Sequence, residues 1–410
     1  MTLPRSGPTA VVVGLDCITG LQTARILHDR GIPVVGVAAD PTHFACRTRA
    51  CEQVVAADVV SDDLISALER LGPSLGERAV LFPCTDQSVM LISRHREALA
   101  PWYHVVLPEH ERVELLMDKV KFTRFGHEQG LALPPTHFVS TVEDAERAAA
   151  ELHFPAVVKP ALKTSRWVNQ SLAKVYRAAS PSHLLDLFAE LSPWSEELIV
   201  QEWIEGTDAD LFSCNCYFDR QGAPVVTFVA RKLRQWPPGA GTSSLGEEVR
   251  NDEVLGETLR LFTSVDYRGL GYVEIKRDAR TGRNYIIEPN VGRPTGRSAI
   301  AEAGGVELLY SMYRDAIGGS LPAARVQRYT GVKWIYLRHD LQSALVYLLR
   351  RELTPAEWRS SWRGRKVDAV WSGRDPAPFF WDWWQTLGRL PVKVQGRLRR
   401  HARRLLAAAR

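Results

Sequence analysis

One stretch constrains this chain more than any other: Gly269 to Arg297, which reads GLGYVEIKRDARTGRNYIIEPNVGRPTGR. Two strand-like runs flank Asp278–Arg283, whose Asp and Gly suit a hairpin turn. Side chains alternate between the faces of a strand, so Glu274 and Lys276 project from one side of the first run. By the same rule Ile286, Glu288 and Asn290 share a face of the second. A hairpin that sets Glu274 beside Glu288 and Asn290 gathers two carboxylates and an amide oxygen, hard ligands of the kind that suit Mg2+. The competing reading is an edge hairpin with a solvated charged face and Asn290 ending a strand.

Length sets the next bound. A chain of 410 residues, 45% hydrophobic, has material for two or three domains with sizeable cores. The apolar run Ala10–Gly14 is too short, and too soon followed by Asp16, for a signal peptide. No run reaches the ~18 apolar residues of a membrane span. The six cysteines, at 17, 46, 51, 84, 214 and 216, show no CxxC pair, so neither a zinc site nor a disulfide framework is expected, and a cytoplasmic setting fits. Cys214 and Cys216 read as buried free thiols on one face of a strand.

The first hundred residues carry the pattern of an open parallel sheet. Ala10–Gly14 is a buried strand, Leu21–Asp29 a helix and Ile32–Ala38 a second strand, together a βαβ unit, and Ala79–Pro83 continues the sheet. The loop GLDCITG lacks GxGxxG, so no bound dinucleotide is expected there. Thr85, Asp86 and Gln87 follow a strand's carboxyl end, where open sheets place ligands, but Thr85 or Asp86 equally reads as a helix cap.

Chemistry-bearing residues accumulate from Glu111. Asp118–Lys119 falls in a helical stretch, Val113–Gln129, and Pro134–Pro135 marks a step to a new subdomain. The strand Ala156–Lys159 closes on a lysine, a conspicuous charge that either meets an anion or snorkels to the surface. Leu198–Ile204 is a strand followed by Glu205–Asp208, a segment that can lie along a purine with a carboxylate at the ribose.

The order of these pieces (Asp-Lys in a helix, FPAVVKP, IVQEWIEGTD, GYVEIKRD with its hairpin, IIEPN) resembles the ATP-grasp superfamily over roughly residues 10–320. The segment ARKLRQWPPGAGTSSLGEEVRN, Ala230–Asn251, is similar to that of its bacterial predicted carboligases. The resemblance implies an α/β chain with the ATP-grasp fold, a preceding open-sheet domain, and carboxylate–amine or carboxylate–thiol ligase activity through an acyl phosphate. A phosphotransferase and a non-catalytic ATP sensor are the alternatives. It further implies that Lys119 and Lys159 bind ATP phosphates, Gln201, Glu202, Trp203 and Ile204 the adenine, and Asp208 the ribose. Glu274, Glu288 and Asn290 would hold one or two Mg2+ ions, with Mn2+ as a substitute, and Arg231 would stabilise the transferring phosphoryl. Either Arg293 or Arg297 would face the substrate. The chain departs from the family in its loop Ala161–Ser171, which has no glycine; Lys163, Thr164, Ser165 or Arg166 would replace backbone amides over the phosphates.

The tail differs in kind. Residues 331–410 hold 17 Lys and Arg against 6 Asp and Glu, a net of +11 that leaves −6 for residues 1–330 in a chain of +5. An apolar strand and short helix are expected over Gly331–Leu349. Beyond them come Trp358, Trp362, Trp371 and the cluster Phe379–Trp384, then Lys393, Arg397, Arg399, Arg400, Arg403 and Arg404. Two readings stay open: contact with an anionic membrane surface, as a peripheral protein of the inner face, or aromatics packed onto the domain with a solvated basic end. Nucleic acid is not expected, because no recognition module is present. The expected divisions are 1–110, an N-terminal α/β domain; 111–200, a central lid subdomain; 201–330, a subdomain with the hairpin; and 331–410, a basic aromatic extension. The expected partners are a small carboxylate and a small amine.

Overall fold

The computed structural model describes residues 7–162, 167, 170, 175–239 and 241–387. The basic residues from Lys393 to Arg404, and Lys163 to Arg166 of the glycine-free loop, lie outside them.

The N-terminal sheet is built from β1 (Ala10–Val13), β2 (Val34–Ala38), β3 (Gln53–Ala56), β4 (Ala79–Pro83) and β5 (Tyr103–His104), in the order β3-β2-β1-β4-β5, all pairs parallel. Every residue of β1, β2 and β4 is buried, as a parallel sheet covered on both faces requires. Helix α1 (Ile18–His28) starts three residues before the expected Leu21, because the Cys17 thiol caps it and accepts from the Gly20 amide. Gly20 packs so closely that a Cβ there would sit 2.2 Å from the Gly14 carbonyl oxygen. Thr85 caps the helix Asp86–Arg94 with a reciprocal Ser88 bond, so it serves the structure in the way the cap reading expected.

A four-stranded sheet follows, made of β6 (Thr136–Val139), β7 (Ala156–Pro160), β8 (Tyr176–Ala178) and β9 (Leu198–Glu202) in the order β6-β9-β7-β8. Val158 and Val200 face each other in register and join a separate core with Val139, Leu184, Leu191 and Trp167. Strand alternation then sends Lys159 and Gln201 to the opposite face.

The largest sheet comprises β10 (Leu211–Phe218), β11 (Pro224–Trp236), β12 (Thr242–Glu248), β13 (Gly269–Arg277), β14 (Asn284–Val291), β15 (Lys333–Ile335) and β16 (Lys366–Asp368). Its order is β14-β13-β10-β11-β12-β15-β16, antiparallel except for the last pair. One face, with Phe212, Cys214, Cys216, Val229, Val273 and Ile275, packs into one core; the other, with Tyr217, Phe228 and Ala230, packs into a second. Cys214 and Cys216 are buried free thiols on one face, as their spacing indicates.

Residues 331–387 share this sheet with 211–291. The strand and helix expected over Gly331–Leu349 are β15 and the helix Leu337–Leu349. Asp340, fully buried, accepts from Arg234 Nε and Nη2 at 2.8 and 3.0 Å and from the Trp362 indole N–H at 2.8 Å. Asp375 accepts from Arg25 at 2.9 Å and tethers the same segment to the N-terminal domain. The tail aromatics divide accordingly: Trp358 and Trp362 turn onto Asp340 and Phe379 packs against the core, whereas Phe380, Trp384 and Leu387 are exposed.

Candidate functional site

The hairpin β13–β14 forms as its sequence indicates, with Glu274 directly opposite Glu288 and Tyr272 opposite Asn290. One expectation fails. A bulge follows the Glu274–Glu288 pair, so that Ile275 pairs with Ile286 and Ile287 is the extra residue. The alternation therefore slips by one, and Ile286 enters the core with Val273 and Ile275 instead of sharing a face with Glu288 and Asn290. The bulge allows an apolar run to feed the core while the residues beyond it present polar groups to the cleft.

Two carboxylates on adjacent strands repel. The Glu288 carboxyl is held above its ordinary range, first by its partly dehydrated position in the cleft and then by the charge of Glu274, with Lys119 acting against both. Lys232 offers Glu274 an ammonium at 3.6 Å, too long for a tight hydrogen-bonded pair. This donor set fits a divalent cation. Asn290 fits it less freely, because its Oδ1 accepts from Arg293 at 2.6 Å while its buried Nδ2 has no partner among the described residues. Among the described residues no group of three or more His, Cys, Asp or Glu is arranged to hold a metal, so the set is two carboxylates and an amide.

Lys159 comes to the same cleft from the four-stranded sheet. Burial, and secondarily Lys119, lower its pKa to about 8, while Glu288 opposes them. Its ammonium lies 3.4 Å from Gln201 Oε1, and Gln201 in turn donates to Thr136 at 2.9 Å. The surface-snorkelling reading of Lys159 is therefore not what the fold adopts. Lys119 opens the helix Lys119–Glu128, since Asp118 caps that helix and divides the expected single stretch into two. The Asp118 carboxylate is spent on the amides of Val120 and Lys121, both at 2.9 Å.

The residues expected along the purine are placed unevenly. Glu202 turns into the four-stranded core side, where its carboxylate accepts from the His153 amide at 2.7 Å and lies 2.9 Å from the His153 ring. The amides of Glu202 and Trp203 are bonded to the carbonyls of Pro135 and Pro155. The Trp203 ring carries Arg177 and Lys276 at 5.2 and 5.7 Å, and Ile204 is buried. Asp208 accepts from Gln235 at 2.7 Å and from the Tyr347 hydroxyl, so its carboxylate is already engaged by the sheet and the post-331 helix.

The arginines separate clearly. Arg231 is in register with Phe212, which pairs in turn with Ile275, so it lies on the opposite face of the sheet from Glu274. It pairs with Glu247, and its neighbour Lys232 is the cation that faces the carboxylates. Arg293 bridges Asp86, the Tyr272 hydroxyl at 2.8 Å and Asn290. Arg297 is buried and donates to Ser243 at 3.0 Å and Ser213 at 2.7 Å. A cavity of about 440 Å3 is lined by Glu274, Glu288, Arg293 and Arg297 together with Trp334 and Tyr336. Sequence reading missed Trp334, Tyr336 and Ser213. Their only signal is strand register, which needs the tertiary pairing.

No family model matches the chain. It is 24% identical over 240 residues to a D-aspartate ligase of Enterococcus faecium (strain Aus0004), covering 54% of this chain and 55% of that protein. A D-alanine–D-alanine ligase of Pseudomonas fluorescens (strain Pf0-1) is 33% identical over 94 residues, 23% of this chain and 27% of the relative. The chain thus spans about half or less of these relatives. Among solved structures, an N5-carboxyaminoimidazole synthetase from Staphylococcus aureus superposes with a TM-score of 0.60 at 16% identity, covering 78% of this chain and 80% of the other. In this chain the open parallel sheet comes first, the small antiparallel sheet second, and the carboxylate-bearing hairpin on the large antiparallel sheet third. The chain carries the ATP-grasp fold.

Proposed function

We propose that the protein is an ATP-dependent ligase that joins a small carboxylic acid to an amine or a similar nucleophile and releases ADP and phosphate. The observation that carries this reading is the register pair Glu274–Glu288, two facing carboxylates in one cleft with Lys159 and a cavity lined by Arg297. Mg2+, one ion or two and with Mn2+ as a substitute, would be held by Glu274, Glu288 and the remaining lone pair of Asn290, and would supply charge neutralisation to a transferring phosphoryl group.

The chain's own residues supply position and charge. Lys159 and Lys119 bind phosphate oxygens; Gln201, Trp203 and Ile204 flank the base, and Glu202 and Asp208 act through the fold around it. Lys232, in place of Arg231, faces the phosphoryl group, and Arg297 faces the acid. A carboxylate oxygen attacks the γ-phosphorus as the bond to ADP breaks. The nucleophile then attacks the acyl carbon, loses a proton, and expels phosphate that keeps one oxygen of the acid. Catalysis of this kind rests on alignment and electrostatic stabilisation.

Incubation with Mg-ATP, pooled 18O-labelled carboxylates and pooled amines should release labelled phosphate. Phosphate retained on the acid would indicate a phosphotransferase, and ATP binding without turnover a sensor; either overturns the ligase reading.

A cytoplasmic setting with peripheral attachment completes the reading. Phe380, Trp384 and Leu387 are exposed at helical spacing and run in sequence into the basic residues 389–404, a composition suited to an anionic bilayer. Co-sedimentation with acidic vesicles that salt abolishes is the expected result; equal recovery in the supernatant with and without vesicles would contradict it.

A further inference from the structure

The cavity beside Glu274 draws its walls from distant parts of the chain, among them Cys17, Ile18 and Thr19 at the start of α1, the residues 241–243, the loop that carries Arg297, and the post-331 residues Trp334, Tyr336 and His339. At about 440 Å3 it has the size of a small-molecule site. Its inner end is organised around a glycine. Gly246 is the register partner of both Lys232 and Trp334, so the three form one cross-strand row on the cavity face. The Arg297 stem lies over Gly246: Cδ is 3.5 Å from the place a Cβ would take, a van der Waals distance. The guanidinium therefore sits above a row flanked by an ammonium and an indole.

The polar groups at that end are donors. Arg297 is only 4% exposed; its described hydrogen-bond partners are the hydroxyls of Ser213 and Ser243, and Glu274 is the carboxylate whose charge acts on it without a hydrogen bond among the described residues. A buried cation of this kind calls for an anion. Trp334 is 2% exposed, and among the described residues its indole N–H has no acceptor, nor has Asn290 Nδ2. The N-terminus of α1, the positive end of its dipole, opens on the same space through Cys17, Ile18 and Thr19. Glu274 and Glu288 belong to the cation end of the cavity. One part of the remaining wall is apolar and flat: the Tyr336 ring, its centroid 4.0 Å from that of His339, together with Ile18; Thr19, Thr242 and Thr295 line the cavity beside it.

We propose that this cavity binds the carboxylate substrate, and that the substrate is a small monocarboxylic acid with a flat apolar body. Its carboxylate sits between Arg297 and the Trp334 N–H, and its body rests on Tyr336 and Ile18. This rests on the ligase reading for the word substrate. It also makes the segment after 331 part of the site, as the determinant of which acid is taken.

The test is calorimetry on the full chain with 3-phenylpropionate, propionate and 3-phenylpropan-1-ol as probes, with Mg-ATP titrated separately. The expected result is binding of 3-phenylpropionate, with propionate and the alcohol each at least tenfold weaker. Arg297→Met should cost at least tenfold in 3-phenylpropionate affinity, and Trp334→Phe, which keeps a ring and removes the donor, three- to tenfold, with ATP affinity within twofold in both. Should Arg297→Met fail to fold, Trp334→Phe decides alone. Equal affinity for acid and alcohol, for the long and short acids, or for wild type and the folded variants overturns the proposal. A wild type that binds Mg-ATP but no acid overturns it while leaving the ligase reading in place. A wild type that binds neither brings down both.

Discussion

The hairpin β13–β14 and the segment after residue 331 use the same residue types to opposite ends. In the hairpin, Glu274 and Glu288 face each other, and among the described residues the ion pair of Glu274 is with the Lys232 ammonium 3.6 Å away. After 331, the buried carboxylates find close partners: Asp340 has Arg234 and Trp362, Asp375 has Arg25, and Asp382 has Arg338 and Tyr336. Matched charges hold segments together, whereas facing like charges destabilise the fold by themselves and become favourable when a cation bridges them. The contrast teaches that charge satisfaction, more than residue type, separates site from scaffold in this molecule.

The largest effect should come from breaking a matched pair. Asp340→Ala leaves Arg234 buried and unpaired and should destabilise the fold by about 3–5 kcal/mol, read from denaturant unfolding. A loss under ~1 kcal/mol would mean that the pair is no anchor. Glu288→Gln should do the reverse. It removes a repulsion, so the midpoint of unfolding should hold or rise, while Mg2+-dependent turnover falls at least ~100-fold, equivalent to about 2.7 kcal/mol. A destabilised Glu288→Gln variant would erase the contrast.

A smaller effect is expected at Lys159. Its folded pKa of about 8 lies below the ordinary lysine value, so the ammonium that would meet phosphate is present at pH 7 and is lost as pH rises through 8. ATP affinity should therefore fall between pH 7 and 9. Lys159→Met should lower affinity by about tenfold at pH 7, ~1.4 kcal/mol, and flatten that dependence. The stability sign is opposite: with the folded pKa depressed, the folded state binds fewer protons than the unfolded chain above pH 8, and the burial penalty is relieved as pH rises. An ATP affinity that is flat across this range in the wild type would remove Lys159 from the phosphate site. The smallest effect belongs to Arg231, whose pair with Glu247 is partly solvent-exposed. Arg231→Ala should change stability by less than ~1 kcal/mol and leave turnover intact. A hundredfold fall in turnover would return Arg231 to the site in spite of its face.

Much of this architecture is legible in the sequence. The βαβ opening, the strands around Val158 and Val200, and the opposition of Glu274 to Glu288 follow from local periods and turn chemistry, which act over a few residues. The missteps share one cause. The bulge that reassigns Ile286 and the face on which Arg231 falls each depend on register, and a shift of a single residue reverses a strand's two faces. No composition or spacing encodes such a shift.

By itself, the sequence determined the alternation of apolar and polar positions, the turn between β13 and β14, and the residues able to hold a cation or phosphate. These are properties of neighbours along the chain. Only the tertiary structure decided that Lys232 and not Arg231 meets Glu274, that Asp208 is engaged by Gln235 and Tyr347, and that Trp334 stands in one row with Gly246 and Lys232 beneath Arg297. These pairings join residues up to 139 positions apart, and they exist only once three sheets have packed and each buried charge has found its partner.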